Sequence, residues 1–335
     1  MSFLTKYRSL KSRLAFIFLT VFICLFSGVF LWSQTNFTVG TYNLEKYEVE
    51  KSGEFTNKSK KIIESIRQMN VDVLGLVEMG SLMSSAYLLN ELNQEGLDYA
   101  YYEWMRSNDG HLHLAVFSRY PLKNIVHHKK DKYRLDARSY TLKRGILEAT
   151  VQVSDDYTFT VLLTHLKSQV ESPHLDQREV RLEESKVLRN KVEQILSKDP
   201  AANLVVFGDL NDRYSSPPLR TILGTAAGKT KLLDARPIEP NGDSLPDERT
   251  RGKFRSIAWT HFYSKEDSYS RLDYILYSPS LRAQFQPEEA IVVRVPNWGV
   301  ASDHRPIRAG FTVPAAKAQP KSVLKPKPEP KPALR

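Results

Sequence analysis

Three short runs, VDVLGLVE (Val71–Glu78), TFTVLLTH (Thr158–His165) and NLVVFGD (Asn203–Asp209), constrain the fold most. Each is rich in Val and Leu, two of them with Phe, and each closes on a side chain that can ionise. Runs of this kind are too short for helices and too apolar for a sheet with one wet face, so they read as strands covered on both sides. The cover is legible nearby. NKSKKIIESIRQMN (Asn57–Asn70) places Ile62, Ile63, Ile66 and Met69 on one helical face. A second helix is expected near Leu82–Leu92. A long one from about Asp176 to Leu196 is expected to bury Leu188, Val192 and Ile195, and SSPPLRTIL opens another with prolines near its first turn. FTVGTYN (Phe37–Asn43), Leu97–Tyr102, Leu112–Ser118, RLDYILY, AIVVRV and PIRAGFTV read as further strands. ILEATVQV and TFTVLLTH form a hairpin about Ser154, Asp155 and Asp156. Early alternation of strands and helices, with hairpins throughout, predicts an α/β fold of two packed sheets with helices outside.

The composition narrows the partners. The net charge is +10 in 335 residues, which suggests nucleic acid until its position is considered. Residues 1–35 hold Lys6, Arg8, Lys11 and Arg13 without an acid. Residues 314–335 hold six cations against Glu329. The middle is therefore close to neutral, and high pI alone argues little for DNA binding. Leu14–Trp32 carries no charge over a length of roughly 28 Å as a helix, enough for a bilayer core. It reads as an uncleaved membrane anchor or a cleaved signal peptide. In both cases the basic side stays cytoplasmic and residues 36–313, one domain, cross. The Pro/Lys-rich tail is expected to be extended, either solvated or resting on an anionic surface. The one cysteine, Cys24, lies in the apolar stretch, which rules out cysteine-ligated zinc and internal disulfides in the domain.

Polar residues recur where strands end: Asn43, Glu78, His165, Asp209 with Asn211, Asp273 in RLDYIL, and Asp303 with His304 before PIRAGF. Each has a local explanation, such as an Asx turn at Asn43, a helix cap at Glu78 or a tight turn at Asp209–Asn211. Turns alone do not account for the recurrence. Carboxylates, amides and histidines without cysteine favour a hard cation, Mg²⁺ or Mn²⁺. Such a set suits phosphoester hydrolysis, in which a carboxylate activates water and donors stabilise charge at phosphorus.

TYNLE, VLGLVE, FSRYPL, THLKS, GDLND, SRLDYIL and SDHRPI occur in the order seen in the endonuclease/exonuclease/phosphatase superfamily, and residues 37–312 resemble it throughout. The resemblance implies a four-layer α/β sandwich with the site at one edge of both mixed β-sheets. It implies Glu78 as the principal metal ligand, Asn43 on metal or phosphate and Asp303 as a second acidic ligand. His165 would contact phosphate, and Asp209 would orient or deprotonate water with Asn211 beside it. Asp273 would orient His304, and Arg144 would touch phosphate. Whether Asp209 or His304 takes the proton stays open. Valine stands before Glu78 where many relatives have glutamine. The loop Ile257–Arg271 adds His261 and aromatics, of which Trp259 and Tyr263 either stack on a base or sugar or pack the loop.

A phosphodiester hydrolase is thus expected, monomeric and acting outside the cytoplasm, with nucleic acid as substrate and Arg134, Arg138 and Arg144 in support. The alternative keeps the chemistry on a phospholipid such as sphingomyelin or on a small phosphomonoester. A non-catalytic surface binding protein is the third reading; the intact set of Glu78, His165, Asp209 and His304 argues against it.

Overall fold

The computed structural model describes residues 36–49, 56–170, 173, 175–225, 228–239, 245–246 and 256–314. The readings made for residues 1–35 and 315–335 lie outside them. Among the described residues no helix is long and apolar enough to cross a membrane.

The chain opens with β1 (Asn36–Tyr47), α1 (Asn57–Met69), β2 (Val73–Met79) and α2 (Leu82–Gln94). Strands β3 (Tyr101–Met105), β4 (His113–Ser118) and β5 (Leu122–His128) follow, then a hairpin of β6 (Lys132–Leu135) and β7 (Arg138–Thr141). The second half runs β8 (Ile146–Ser154), β9 (Tyr157–His165), α3 (Gln177–Lys198), β10 (Leu204–Asp209) and α4 (Pro217–Leu223). Short strands β11 (Leu233–Asp234), β12 (Leu245–Pro246), β13 (Ser256–Ile257), β14 (His261–Tyr263) and β15 (Ser268–Ser270) precede β16 (Asp273–Tyr277), β17 (Phe285–Val292) and β18 (Ile307–Thr312).

Two six-stranded sheets result, ordered β17-β18-β1-β2-β4-β3 and β11-β16-β10-β9-β8-β5. Each contains one parallel pair, β1 with β2 and β9 with β10; the remaining neighbours are antiparallel. The two parallel pairs carry the runs that ended in Asn43, Glu78, His165 and Asp209. Period-two alternation divides their side chains between layers. Val39, Val73 and Val77 meet Phe159, Val161, Leu163, Val205 and Phe207 between the sheets. On the outer face of the first sheet Tyr42, Leu74 and Leu76 pack under Ile62, Ile66 and Met69 of α1 and Leu88 and Leu92 of α2. On the outer face of the second, Leu162, Leu204 and Val206 pack under α3 and α4. The result is the four-layer α/β sandwich.

Helix boundaries follow local chemistry. Thr56 caps α1 by accepting from Ser59 N, and Asn70 ends it in the left-handed region. Asp176 and Ser216 cap α3 and α4 in the same way, with prolines in the first turn of α4. Three expectations shift. The strand placed at 97–102 starts at Tyr101, because Leu97 and Tyr99 are buried in the loop before it. Ile195 is only partly buried, and Leu196 takes its place in the core. Helix α3 also buries Arg181, Glu184 and Arg189, which amphipathic periodicity does not reveal.

Candidate active site

Register brings the polar strand ends together. Asp209 at the end of β10 sits opposite His165 on β9 and Asp273 on β16. On the first sheet, Asn43 lies where the β1–β2 register breaks, one residue from Glu78 in the pairing. Glu78 and Asn211 have positive φ, 56° and 54°. Ordinary side chains hold that left-handed backbone at a cost of about 1 kcal/mol or more each, a strain common at functional sites.

The side chains converge. The Asn43 amide nitrogen donates to Asp209 Oδ2 at 3.0 Å and Glu78 Oε1 at 3.3 Å. His165 Nε2 lies 3.6 Å from Asp209 Oδ2 and 3.8 Å from Glu78 Oε1. Asn211 donates through its backbone to Asp209 Oδ1 at 2.9 Å and through its amide to Oδ2 at 3.2 Å. His304 Nδ1 meets Asp273 Oδ2 at 2.8 Å, and its Nε2 faces Asp209 Oδ2 at 3.7 Å and Asp303 Oδ1 at 3.9 Å. Ser302, which sequence reasoning did not single out, ties the halves by donating to Asn43 O and accepting from His304 N. Thr260 likewise accepts from the backbone of Leu272 and Asp273. Ser302 opens SDHRPI, so its place was legible but its role was not, whereas Thr260 belongs to none of the motifs.

The electrostatics set the two histidines apart. Burial holds His165 well below the usual imidazole range, aided by the charges of Arg144, His304 and Lys167, so it is neutral. Burial would also lower His304, but Asp273 and Asp209 outweigh it and raise the ring to about 10, so it is charged. Burial raises the Asp209 carboxyl, against the pull of His304. Divergent pKa values in one site are how acid and base tasks are divided.

Both ring nitrogens of His165 are buried without a hydrogen-bond partner. Arg144 is buried too: its Nε comes within 2.9 Å of Asp109 Oδ2, yet Nε and Nη1 lack hydrogen-bond geometry to any acceptor. The distance makes this an ion pair, and the angle leaves its N–H groups available. A solvated arginine would not be buried in this way. Arg134 and Arg138, by contrast, are exposed on the β6–β7 hairpin. Trp259 packs its loop, in edge contact with Tyr269 and Trp298 and beneath the Arg305 guanidinium at 4.1 Å. Tyr263 is exposed, with its ring 6.5 Å from that of His261. Val77, in the place of the absent glutamine, belongs to the core between the sheets.

The donor set fits a hard divalent cation. The Glu78 side chain remains 16% exposed, with Oε2 accepting from Lys46 N. Asp209, Asp273 and His304 offer ligand atoms within 4.8 Å of one another, as do His261, Asp303 and His304. Asn43 turns its NH₂ to the carboxylates while its oxygen accepts from Glu45 N. Asp303 groups with His261 and His304. Two cavities lie near the cluster, one reaching it through Asp303 and the other lined by Lys46 and Asp109, the partners of Glu78 and Arg144. One, of about 580 Å³, is lined by Lys46, Gly80, Asp109 and His111; the other, of about 520 Å³, by Glu45, Phe262, Trp298 and Asp303.

Gly208 makes this end of β10 possible. It has φ of 130°, and a Cβ there would stand 2.0 Å from Thr164 O. Gly208→Ala is expected to destabilise the domain by about 3 kcal/mol; a urea midpoint unchanged from the parent would contradict this.

The solved structures share the architecture. The human Nocturnin catalytic domain, with bound sulfate, matches with TM-score 0.56 and 16% identity over 84% of this chain and 98% of that one. Sphingomyelinase C from Streptomyces griseocarneus gives 0.55 and 16% over 83% and 99%. Truncated TDP2 from Caenorhabditis elegans gives 0.51 and 18% over 83% and 98%. At these identities the likeness speaks for the fold. No curated protein sequence matches the chain. The sequence profile of the Endonuclease/Exonuclease/phosphatase family matches residues 40–304, from β1 to the charged histidine of the site, and the chain belongs to that family.

Proposed function

We propose that the protein is a divalent-metal-dependent phosphodiester hydrolase that cleaves nucleic acid outside the cytoplasm. The observation that carries this is the meeting of Glu78, Asp209 and Asn43 with the buried, unpartnered nitrogens of His165 and Arg144.

Glu78 is the principal residue to hold Mg²⁺ or Mn²⁺, with Asp303 available for a second ligand. Held there, such an ion would supply positive charge to a phosphate oxygen and lower the cost of charge at phosphorus. The chain supplies the remainder. His165, neutral, donates one N–H to a phosphate oxygen, and Arg144 adds its charge beside it. Asn43 and Asn211 hold Asp209 so that one carboxylate oxygen faces the attacking water and takes its proton. His304, already protonated and fixed by Asp273, is not the base; its Nε2–H stabilises the charge that develops opposite.

Export rests on the basic start and uncharged Leu14–Trp32. With the chain held at a membrane by that segment, a phospholipid is the alternative substrate. The test uses the full chain in detergent with plasmid DNA, RNA, bis-p-nitrophenyl phosphate and sphingomyelin, with Mg²⁺ or with EDTA. Cleavage of nucleic acid and bis-p-nitrophenyl phosphate is expected with Mg²⁺ and not with EDTA, and His165→Ala is expected to lose about 10²-fold or more in kcat. Turnover that survives both EDTA and His165→Ala would dismiss the mechanism; cleavage of sphingomyelin alone would replace the substrate.

A further inference from the structure

The cavity on the Asp303 side differs in chemistry from the phosphate site beside it. Its walls are the rings of Phe262, on β14, and Trp298, in the single helical turn Trp298–Val300. Its polar groups are the carboxylates of Glu45 and Asp303 and the hydroxyl of Ser264. Both rings are braced from behind. Phe262 lies 4.7 Å from Tyr269, and Trp298 lies 5.2 Å from Trp259, itself capped by Arg305. Backbone bonds fix the walls to the site: Phe262 N donates to Asp303 O, and β14 bridges to the chain at His261 and His304. This side of the site is preorganised, and its occupant lies next to Asp303 and His304.

Glu45, which holds no place in the metal site, adds a carboxylate that disfavours a second phosphate, so the neutral part of the substrate belongs there. Flat aromatic walls favour a planar ring, and stacking of this kind serves every base. The carboxylates only accept hydrogen bonds. Glu45 spends one oxygen on Lys58 at 3.0 Å, and Asp303 holds Oδ2 3.6 Å from His261 Nε2. An acceptor rim pairs with a ring edge that donates through an exocyclic amine, as carboxylates do with cytosine N4.

We infer that the Phe262–Trp298 cavity is a nucleobase subsite beside the scissile phosphate, selective for amino-bearing bases over thymine and uracil. This rests on the phosphodiesterase reading and commits its substrate to nucleic acid. The volume of about 520 Å³ is within the range of small-ligand pockets and is ample for one nucleoside. The other ligand that aromatic walls and carboxylates hold is a quaternary ammonium headgroup, so the test must tell the two apart.

The full chain with Mg²⁺ is assayed on short deoxyoligonucleotides of cytosine, of thymine and of abasic sugar, and on methyl p-nitrophenyl phosphate, which has no base. KM is expected to rise from cytosine to thymine to abasic substrate, by about 10-fold or more between the ends. Trp298→Ala is expected to raise KM for the cytosine oligomer about 10-fold and to flatten that order, with kcat little changed and Trp298→Phe restoring most of the difference. Because Trp298 also packs against its neighbours, the Tm of each variant is measured, and Glu45→Gln supplies a second variant on the exposed rim. Glu45→Gln is expected to narrow the cytosine preference while leaving the advantage of a base over an abasic sugar. Equal KM values for base and abasic substrates, or competitive inhibition by choline stronger than by cytidine, would overturn the subsite. Failure to hydrolyse methyl p-nitrophenyl phosphate as well would sink the phosphodiesterase reading instead.

Discussion

Asp209→Asn is expected to lower kcat on bis-p-nitrophenyl phosphate by about 10³-fold while the protein becomes more stable. The loss follows from position. Asp209 Oδ2 is the atom on which Asn43, Asn211, His165 and His304 converge, at 3.0, 3.2, 3.6 and 3.7 Å. An asparagine keeps the volume and one acceptor oxygen but cannot take a proton from water. The gain follows from burial. Asp209 and Asp273 both face the one charged imidazole of His304, and Glu78 lies against the neutral His165, so metal-free protein holds an excess of negative charge at this cluster. Burial raises the Asp209 carboxyl from 3.8 to about 7. A carboxyl raised on folding contributes stability below its unfolded value, and that contribution is lost as pH rises through the folded value. The variant is therefore expected to gain on the parent between about pH 4 and pH 7 and to melt higher at pH 8 in EDTA, by about 3 °C for each kcal/mol relieved. A melting point lower than the parent's at pH 8, or near-normal turnover, would remove Asp209 from the centre of the mechanism. Sites that trade stability for chemistry behave in this way.

Much of this was legible because strand periodicity and site chemistry fall on the same short runs. A buried strand of Val and Leu has no use for a terminal Glu78 or Asp209, so the polar residue stands out against its segment. The order of the motifs then placed the sheets. What the chain could not disclose was how distant segments meet across the sandwich. Arg144 stood out only through the family resemblance, and its burial beside Asp109 comes from the fold, Asp109 having no motif of its own. Helix α3 hides Arg181 and Glu184 on its inner face because they serve loops: Glu184 accepts from Lys167 N, and Arg181 reaches Ser168 O and Asp212. Hydropathy counts such residues as solvent-facing. Trp259 and Tyr263 looked equivalent in sequence, and only packing separates a braced indole from an exposed phenol. The rings that line a cavity, Phe262 and Trp298, come from segments 36 residues apart, and no local pattern joins them.

The pairing of Asp273 with His304 carries the second large effect. The Nδ1–Oδ2 separation of 2.8 Å and the burial of both groups fix which nitrogen bears its proton toward Asp273. Asp273→Asn leaves a side chain of the same shape with an NH₂ that competes with the imidazole N–H. The ring then turns or changes tautomer, and Nε2 no longer offers its proton to the reacting phosphate. A fall in kcat of about 10³-fold is expected, with KM for bis-p-nitrophenyl phosphate within a few-fold of the parent. His304→Ala is expected to fall as far, because each variant removes the same charged donor. The double variant should then be little worse than either single one, whereas two independent contributions would multiply. Losses that multiply in the double variant would mean that Asp273 acts elsewhere, for instance as a ligand in the Asp209–Asp273–His304 group. A metal titration of Asp273→Asn decides that directly: an unchanged Mg²⁺ requirement assigns the residue to the histidine.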